Sequence, residues 1–161
     1  MVELLEKISL RSATPEDDPF LFELYSSTRT NELAGISWSD QQREAFLRMQ
    51  FEIQQRGFPE GDNNIVLLEE RPIGRLMLRR TEEAIFLVDI TVLPETRNLG
   101  IGTKLIKDLI EESTLTGKPI RLHVFASNVA KHLYDRLGFV VVDGDFVNVG
   151  DKAYLSMTWA P

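Results

Sequence analysis

The segment Arg97-Asn98-Leu99-Gly100-Ile101-Gly102-Thr103 carries the strongest chemical signal in the chain. It follows the continuous apolar run Ile85 to Leu93 and precedes an amphipathic stretch, so its glycines fall at a strand-to-helix turn. Such a turn presents unpaired backbone N–H groups at the positive end of a helix, where they bind an anion without needing lysine. Two familiar phosphate loops fail on counting. A P-loop needs four residues between its first glycine and Gly-Lys-Ser/Thr, a spacing found nowhere here, and the dinucleotide fingerprint needs a third glycine where Leu105 stands. A Gly-x-Gly pair by itself also serves plain backbone freedom.

Asp89 interrupts the apolar run that leads to the loop. Burial there raises a carboxylate's pKa and suits it to take a proton, while strand alternation equally points it into a structural hydrogen bond. Glu82 and Glu83 precede the same run and read as solvated turn acids. Tyr134 is a phenol that stays protonated at neutral pH; taken alone it reads as a packed helix residue with a polar tip. Asn128, just before that helix, reads as its cap. The two histidines, His123 and His132, are scattered and no Ser-His-Asp order accompanies them, so they indicate neither a triad nor a metal centre and take surface or packing roles. With no cysteine, a disulfide framework, a cysteine-ligated metal and a cysteine nucleophile are all excluded.

These groups need elements to position them. Ile8 and Leu10 alternate with polar residues between Lys7 and Ala13, as in a half-buried strand. Thr14-Pro15-Glu16-Asp17 opens a helix whose apolar face is Phe20, Leu21, Leu24 and Tyr25. After a loop with Asn31, Gly35 and Trp38, Ser39 and Gln42 form a capping-box pattern. The helix they open runs to about Arg56, with Phe46, Met49 and Ile53 facing the core and Gly57 as its stop. A polar loop, Pro59 to Asn63, leads to strand Ile65 to Leu68, a turn at Glu70-Arg71-Pro72, and strand Ile73 to Leu78. Ile85 to Leu93 suits a central strand covered on both faces. A helix from about Gly100 to Thr116, strand Ile120 to Phe125, a short helix from about Val129 to Leu137, and strands Phe139 to Val142 and Ala153 to Trp159 complete the chain. The order βααβββαβαββ describes an α/β (α+β mixed) fold, a mixed sheet with helices on both faces.

The chain has 161 residues, 43% of them hydrophobic and 27% charged, with no repeat or linker, which predicts a single domain over 1–161. Its 18 basic and 25 acidic residues give a net charge of −7 and a pI near 4.9, against nucleic acid as a partner. The amino terminus does not read as a secretory signal and no run approaches the ~20 apolar residues of a membrane span. The expected location is therefore the cytoplasm.

Arg97-x-x-Gly100-x-Gly102, preceded by Ile90-Thr91-Val92-Leu93-Pro94 and followed by Asn128 to Phe139, resembles the acetyl-CoA-binding core of the GNAT N-acetyltransferase superfamily. The resemblance is strongest over about residues 84–140. It implies a GNAT-like fold with a mostly antiparallel sheet of about six to seven strands and about four helices. It further implies that the amides of Arg97, Asn98, Leu99, Gly100, Ile101, Gly102 and the adjoining Thr103 bind the cofactor pyrophosphate. Ile90, Val92 and Leu93 would pair with pantetheine, and an amide near Val92 or Leu93 would polarise the thioester carbonyl. Asn128 would bond the pantetheine, Tyr134 would protonate the departing thiolate, and Asp89 would serve as base for an amine. Lys104, Lys131 and Arg136 are candidates to neutralise CoA phosphates. The acceptor site is expected on the first two helices and the last strand loop, with Tyr25, Arg29, Glu32, Trp38, Asp143, Asp145 and Asp151 as candidates. Arg29 suits a carboxylate and the aspartates suit a cation. The expected activity is acetyl transfer from acetyl-CoA, without a metal, to a primary amine of a small molecule or peptide by direct attack; no membrane is expected as partner, and a homodimer is admitted. A non-catalytic acyl-CoA-binding module, O-acylation and a longer acyl chain are the alternatives.

Overall fold

The computed structural model describes residues 2–57, 61–149 and 152–161. Its elements are α1 (Val2–Glu6), β1 (Ile8–Ser12), a 3-10 turn Pro15–Asp17, α2 (Asp18–Ser27), α3 (Thr30–Leu33), α4 (Asp40–Gly57), β2 (Asp62–Leu68), β3 (Arg71–Arg80) and β4 (Ile85–Val92). A 3-10 turn Pro94–Thr96 follows, then α5 (Ile101–Thr116), β5 (Ile120–Phe125), α6 (Ala130–Arg136), β6 (Val140–Val149) and β7 (Lys152–Trp159). The strands form one seven-stranded sheet in the order β1-β2-β3-β4-β5-β7-β6. Only β4 and β5 are parallel, as the intervening helix α5 requires.

One sheet face packs on α5 and α6. Ile85, Leu87, Ile120, Leu122, Val124 and Met157 meet Ile101, Leu105, Ile106, Leu109 and Tyr134 there. On the opposite face α2 and α4 bring Leu21, Tyr25, Leu47 and Phe51 against Ile65 and Leu67 of β2. The alternation of β2 thus serves two cores, with Ile65 in one and Val66 in the other.

Several expectations are corrected. Two short helices, α1 and α3, are additional; Leu5 and Leu33 anchor them in the two cores, and packing rather than propensity forms helices so short. Along α4 the buried stripe is Leu47 and Phe51, whereas Met49 and Ile53 are 51% and 58% exposed. Two stripes of similar spacing lie side by side on this helix, and the larger Phe51 claims the sheet. The β2–β3 turn is shorter than expected: Glu69 takes a left-handed φ of 58°, and Pro72 joins β3 opposite Leu67 where the register shifts. Proline is tolerated at such a bulge. Strand β6 continues past Val142 to Val149 across a register shift between Val141 and Phe146. Pro59 and Glu60 of the expected polar loop lie outside the described residues.

Strand β4 sits fourth of seven, yet it is only half-buried from Val88 to Val92. The cause is its parallel neighbour. β4 and β5 pair solely over Ile85–Leu87 with Ile120–Leu122 and then separate. On the other side Met77 opposes Asp89 and Leu78 opposes Leu87, leaving Val88 as a bulge that increases the local twist.

Candidate active site

The glycine loop stands at the start of α5 with its donors unclaimed. Gly100 is the N-cap at φ 84°, a left-handed conformation that excludes a β-carbon without strain, and Asn98 at φ 63° is of a type that tolerates it. The first intrahelical bond runs from Lys104 N–H to the Gly100 carbonyl at 3.0 Å. The amides of Ile101, Gly102 and Thr103 therefore have no partner within the helix. Among the described residues no side chain caps this end, and its first turn carries no acid. Gly102 has no such backbone demand. A β-carbon there would meet only Leu133 Cδ2, at an ordinary 3.5 Å, so the fold itself tolerates a small side chain at this position.

Beside the loop, Leu93 N–H donates to the Ile73 carbonyl at 2.8 Å. Ile73 and Leu93 are thus a hydrogen-bonded pair, and alternation makes Gly74/Val92 and Leu76/Ile90 non-bonded pairs. The main-chain groups of Ile90 and Val92 consequently point away from β3, toward the side from which β5 has separated. An open strand edge leads straight to an unclaimed helix start. These two features fit an extended amide-bearing arm ending in a diphosphate, with Val92 offering its amide, the Ile90 amide turned to the Asp89 carboxylate and Leu93's committed to Ile73.

The separation of β4 and β5 leaves a cavity of about 150 Å³ whose lining includes Asp89, Ile90, His123, Asn128, Tyr134 and Tyr154. Asp89 and Tyr134, 45 positions apart in the chain, thereby share one space. Burial raises the Asp89 pKa, opposed in part by Arg75, whose Nε lies 3.9 Å away, and by the Thr91 hydroxyl, which donates at 3.2 Å. Arg75 is itself 4% exposed and is held by Asn63 and Gln55. Tyr134 is pushed up to about 12, first by burial and second by the negative charge of Asp89. It rests on Phe139 with ring centroids 5.6 Å apart. Asn128, which lines the cavity, accepts from the Ala130 amide at 2.9 Å through Oδ1, the capping role.

The other candidates are dispersed. Lys104 and Lys131 bond Asp108 and Asp135, each at 2.8 Å along its own helix, whereas Arg136 donates to the Thr103 hydroxyl at 3.1 Å and so stands at the loop. Arg97 is exposed. Tyr25 is 9% exposed, packed on Phe51, with the Arg29 guanidinium 5.1 Å from its ring centroid. Trp38 is packed on Phe46 instead. The side chains of Glu32, Asp143 and Asp145, and all of Asp151, lie outside the described residues. Glu82 and Glu83 are exposed at the start of β4, the end opposite the glycine loop. His123 was assigned no chemistry by sequence reasoning, yet it lines the cavity, with Nδ1 2.9 Å from Ser156 Oγ and its ring stacked on Tyr154. The alternation of Arg121 and His123 with buried Ile120, Leu122 and Val124 was the available signal. Among the described residues no group of three His, Cys, Asp or Glu side chains forms a metal centre, and no helix is long and apolar enough to cross a membrane.

The uncapped helix start, the open β4 edge and the Asp89–Tyr134 cavity all lie at the end of the sheet where β4 and β5 part. The acetyltransferase (GNAT) family model matches residues 19–139, and the chain belongs to that family. Similar solved structures include the PaiA N-acetyltransferase of Thermoplasma acidophilum in complex with coenzyme A, at 20% identity and TM-score 0.63 over 92% of this chain and 97% of that one. The ribosomal-protein-S18-alanine N-acetyltransferase of Escherichia coli aligns at 19% identity and TM-score 0.61 over 95% and 93% of the two chains. Naa50 of Arabidopsis thaliana in complex with the bisubstrate analogue CoA-Ac-MVNAL aligns at 16% identity and TM-score 0.60 over 96% and 99%. A search of curated proteins finds no match.

Proposed function

We propose that this single domain is an acetyl-CoA-dependent N-acetyltransferase that acts on a primary amine of a small molecule or peptide by direct attack in a ternary complex. The observation that carries the reading is the shared cavity of Asp89 and Tyr134 at the open end of β4. Acetyl-CoA supplies an acetyl group activated as a thioester. The amides of Ile101, Gly102 and Thr103 hold its diphosphate at the positive helix end, with Arg136 alongside. Ile90 and Val92 align the pantetheine arm, and the Val92 amide donates to the thioester oxygen, an interaction commonly worth several kcal/mol in acyl transfer.

Asp89 takes the proton of the acceptor nitrogen as the N–C bond forms. Tyr134 gives its proton to sulfur as the C–S bond breaks, and the proton held by Asp89 returns to the phenolate through solvent. The two steps reinforce one another: once Asp89 is protonated, the charge that raised the Tyr134 pKa is gone, and the phenol becomes the stronger acid. No acyl-enzyme is needed.

Thiol release from acetyl-CoA, measured across polyamines, amino acids, aminoglycosides and peptide amino termini, tests this. Peptides belong in the panel because two similar structures carry peptide- or protein-directed names. Tyr134→Phe is expected to lower kcat about 100-fold with CoA affinity retained. Because Asp89 acts as the carboxylate and its pKa is raised, the wild-type rate falls as pH drops, at a pH above the usual carboxylate range; Asp89→Asn removes that limb. Saturable CoA binding without acceptor-dependent release would make the chain a binding module instead.

A further inference from the structure

A second cavity, of about 340 Å³, adjoins the first and shares Leu122 and His123 with it. Its lining includes Phe86, Arg121, His123, Val142, Ser156 and Thr158. Arg121 and His123 alternate with Ile120, Leu122 and Val124, which belong to the core under α5, so this cavity opens on the other side of the sheet. The strand register sets Arg79, Phe86, Arg121 and Thr158 in one row across β3, β4, β5 and β7. The Arg79 guanidinium lies 4.5 Å from the Phe86 ring centroid, and its Nε is buried without a hydrogen-bond partner among the described residues. Among the described residues Arg121 has no ion pair and the lining contains no carboxylate. In a chain of net charge −7, this row is locally positive. It repels a second ammonium and favours an anion.

We propose that this cavity receives the non-reacting part of the acceptor, and that the acceptor is an amine carrying a carboxylate beyond an apolar spacer. Arg121 fixes the carboxylate. His123, anchored by Ser156 and stacked on Tyr154, forms the wall that the spacer passes. Arg121 stands two residues from His123 along β5, about 7 Å, so the nitrogen and the carboxylate must be farther apart than in an α-amino acid. An ω-amino acid or a short peptide with a free carboxyl end has that reach.

The assignment rests on the acetyltransferase reading, and one experiment separates the two. CoA binding is measured by calorimetry, and kcat/KM by thiol release, for 6-aminohexanoate, 6-aminohexanamide and 1,5-diaminopentane. In the wild type the carboxylate is expected to exceed the amide about tenfold, with the diamine poorest, as a charge-assisted contact supplies. Arg121→Gln is expected to abolish the difference between carboxylate and amide while CoA affinity stays unchanged. Equal or better use of the amide or diamine by the wild type, which requires no variant to fold, overturns the proposal. Turnover of none of the three with CoA binding intact also overturns it, leaving the cofactor site standing. Absence of CoA binding overturns the acetyltransferase reading itself.

Discussion

The helix starts in this molecule are built in two opposite ways. At the 3-10 turn Pro15–Asp17 that leads into α2, Asp17 fills the first donor from within the chain: its carboxylate accepts from Thr14 N–H at 2.8 Å and from both terminal nitrogens of Arg11 at 2.8 and 2.7 Å. At the entry to α4, Ser39 and Gln42 exchange bonds, with Gln42 N–H donating to Ser39 Oγ at 3.1 Å and Ser39 N–H to Gln42 Oε1 at 2.9 Å. The start of α5 has neither device. A carboxylate in its first turn would stabilise the helix, but it would occupy the site that the proposed function gives to the cofactor's diphosphate. Capped starts serve stability; under the proposed function, the bare start of α5 forgoes that stability and leaves its amides to the cofactor.

The largest effect expected from this contrast is at Gly102. Gly102→Val should weaken CoA binding about 100-fold by calorimetry, since a branched side chain displaces the diphosphate from several charge-assisted bonds. Gly102→Ala is the control, expected to bind CoA nearly as the wild type and to gain about 0.5–1 kcal/mol of stability from helix propensity. Equal binding by the Val variant would break the comparison.

At the self-capped start, Asp17→Asn should cost about 1–2 kcal/mol in denaturant unfolding with CoA affinity unchanged, the exposed Arg11 side chain limiting the ion-pair share. The Arg11 hydrogen bonds, opposed by burial and then helped by the Thr14 amide and the Arg11 charge, hold Asp17 below its ordinary 3.8, at about 2. A carboxylate depressed in the folded state contributes stability above its unfolded pKa and loses it as pH falls through the folded one. The contribution should therefore fade between about pH 4 and pH 2, and the Asn variant should lack that dependence. The smallest effect is at α4, where Ser39→Ala should cost about 1 kcal/mol and leave CoA binding alone.

How much of this was legible follows from the range of each interaction. The Ser39–Gln42 cap, the Gly100–Gly102 turn and the α2 core face are set by neighbours within a helical turn, and sequence spacing reports them directly. The face of α4 was misread because two apolar stripes compete locally and only Phe51's contact with the sheet decides between them. Pro72 was placed in a turn because its bulge depends on the partner strand. The site divides in the same way. The loop amides were legible, whereas the commitment of Leu93 to Ile73, and the release of Ile90 and Val92, depend on ladder parity between strands.

The sequence by itself determined the order of the strands and longer helices, the family and a glycine turn that leaves the α5 start uncapped, because alternation, helical periodicity and capping chemistry act over a few residues. Tertiary structure alone decided that β4 and β5 part after three paired residues. That separation brings Asp89, Tyr134 and His123 around one cavity, while Arg121, still paired with Phe86, lines a second. Those residues come from β4, β5 and α6, so their meeting depends on sheet twist, the Val88 bulge and packing on α5, none of which is encoded within any one segment.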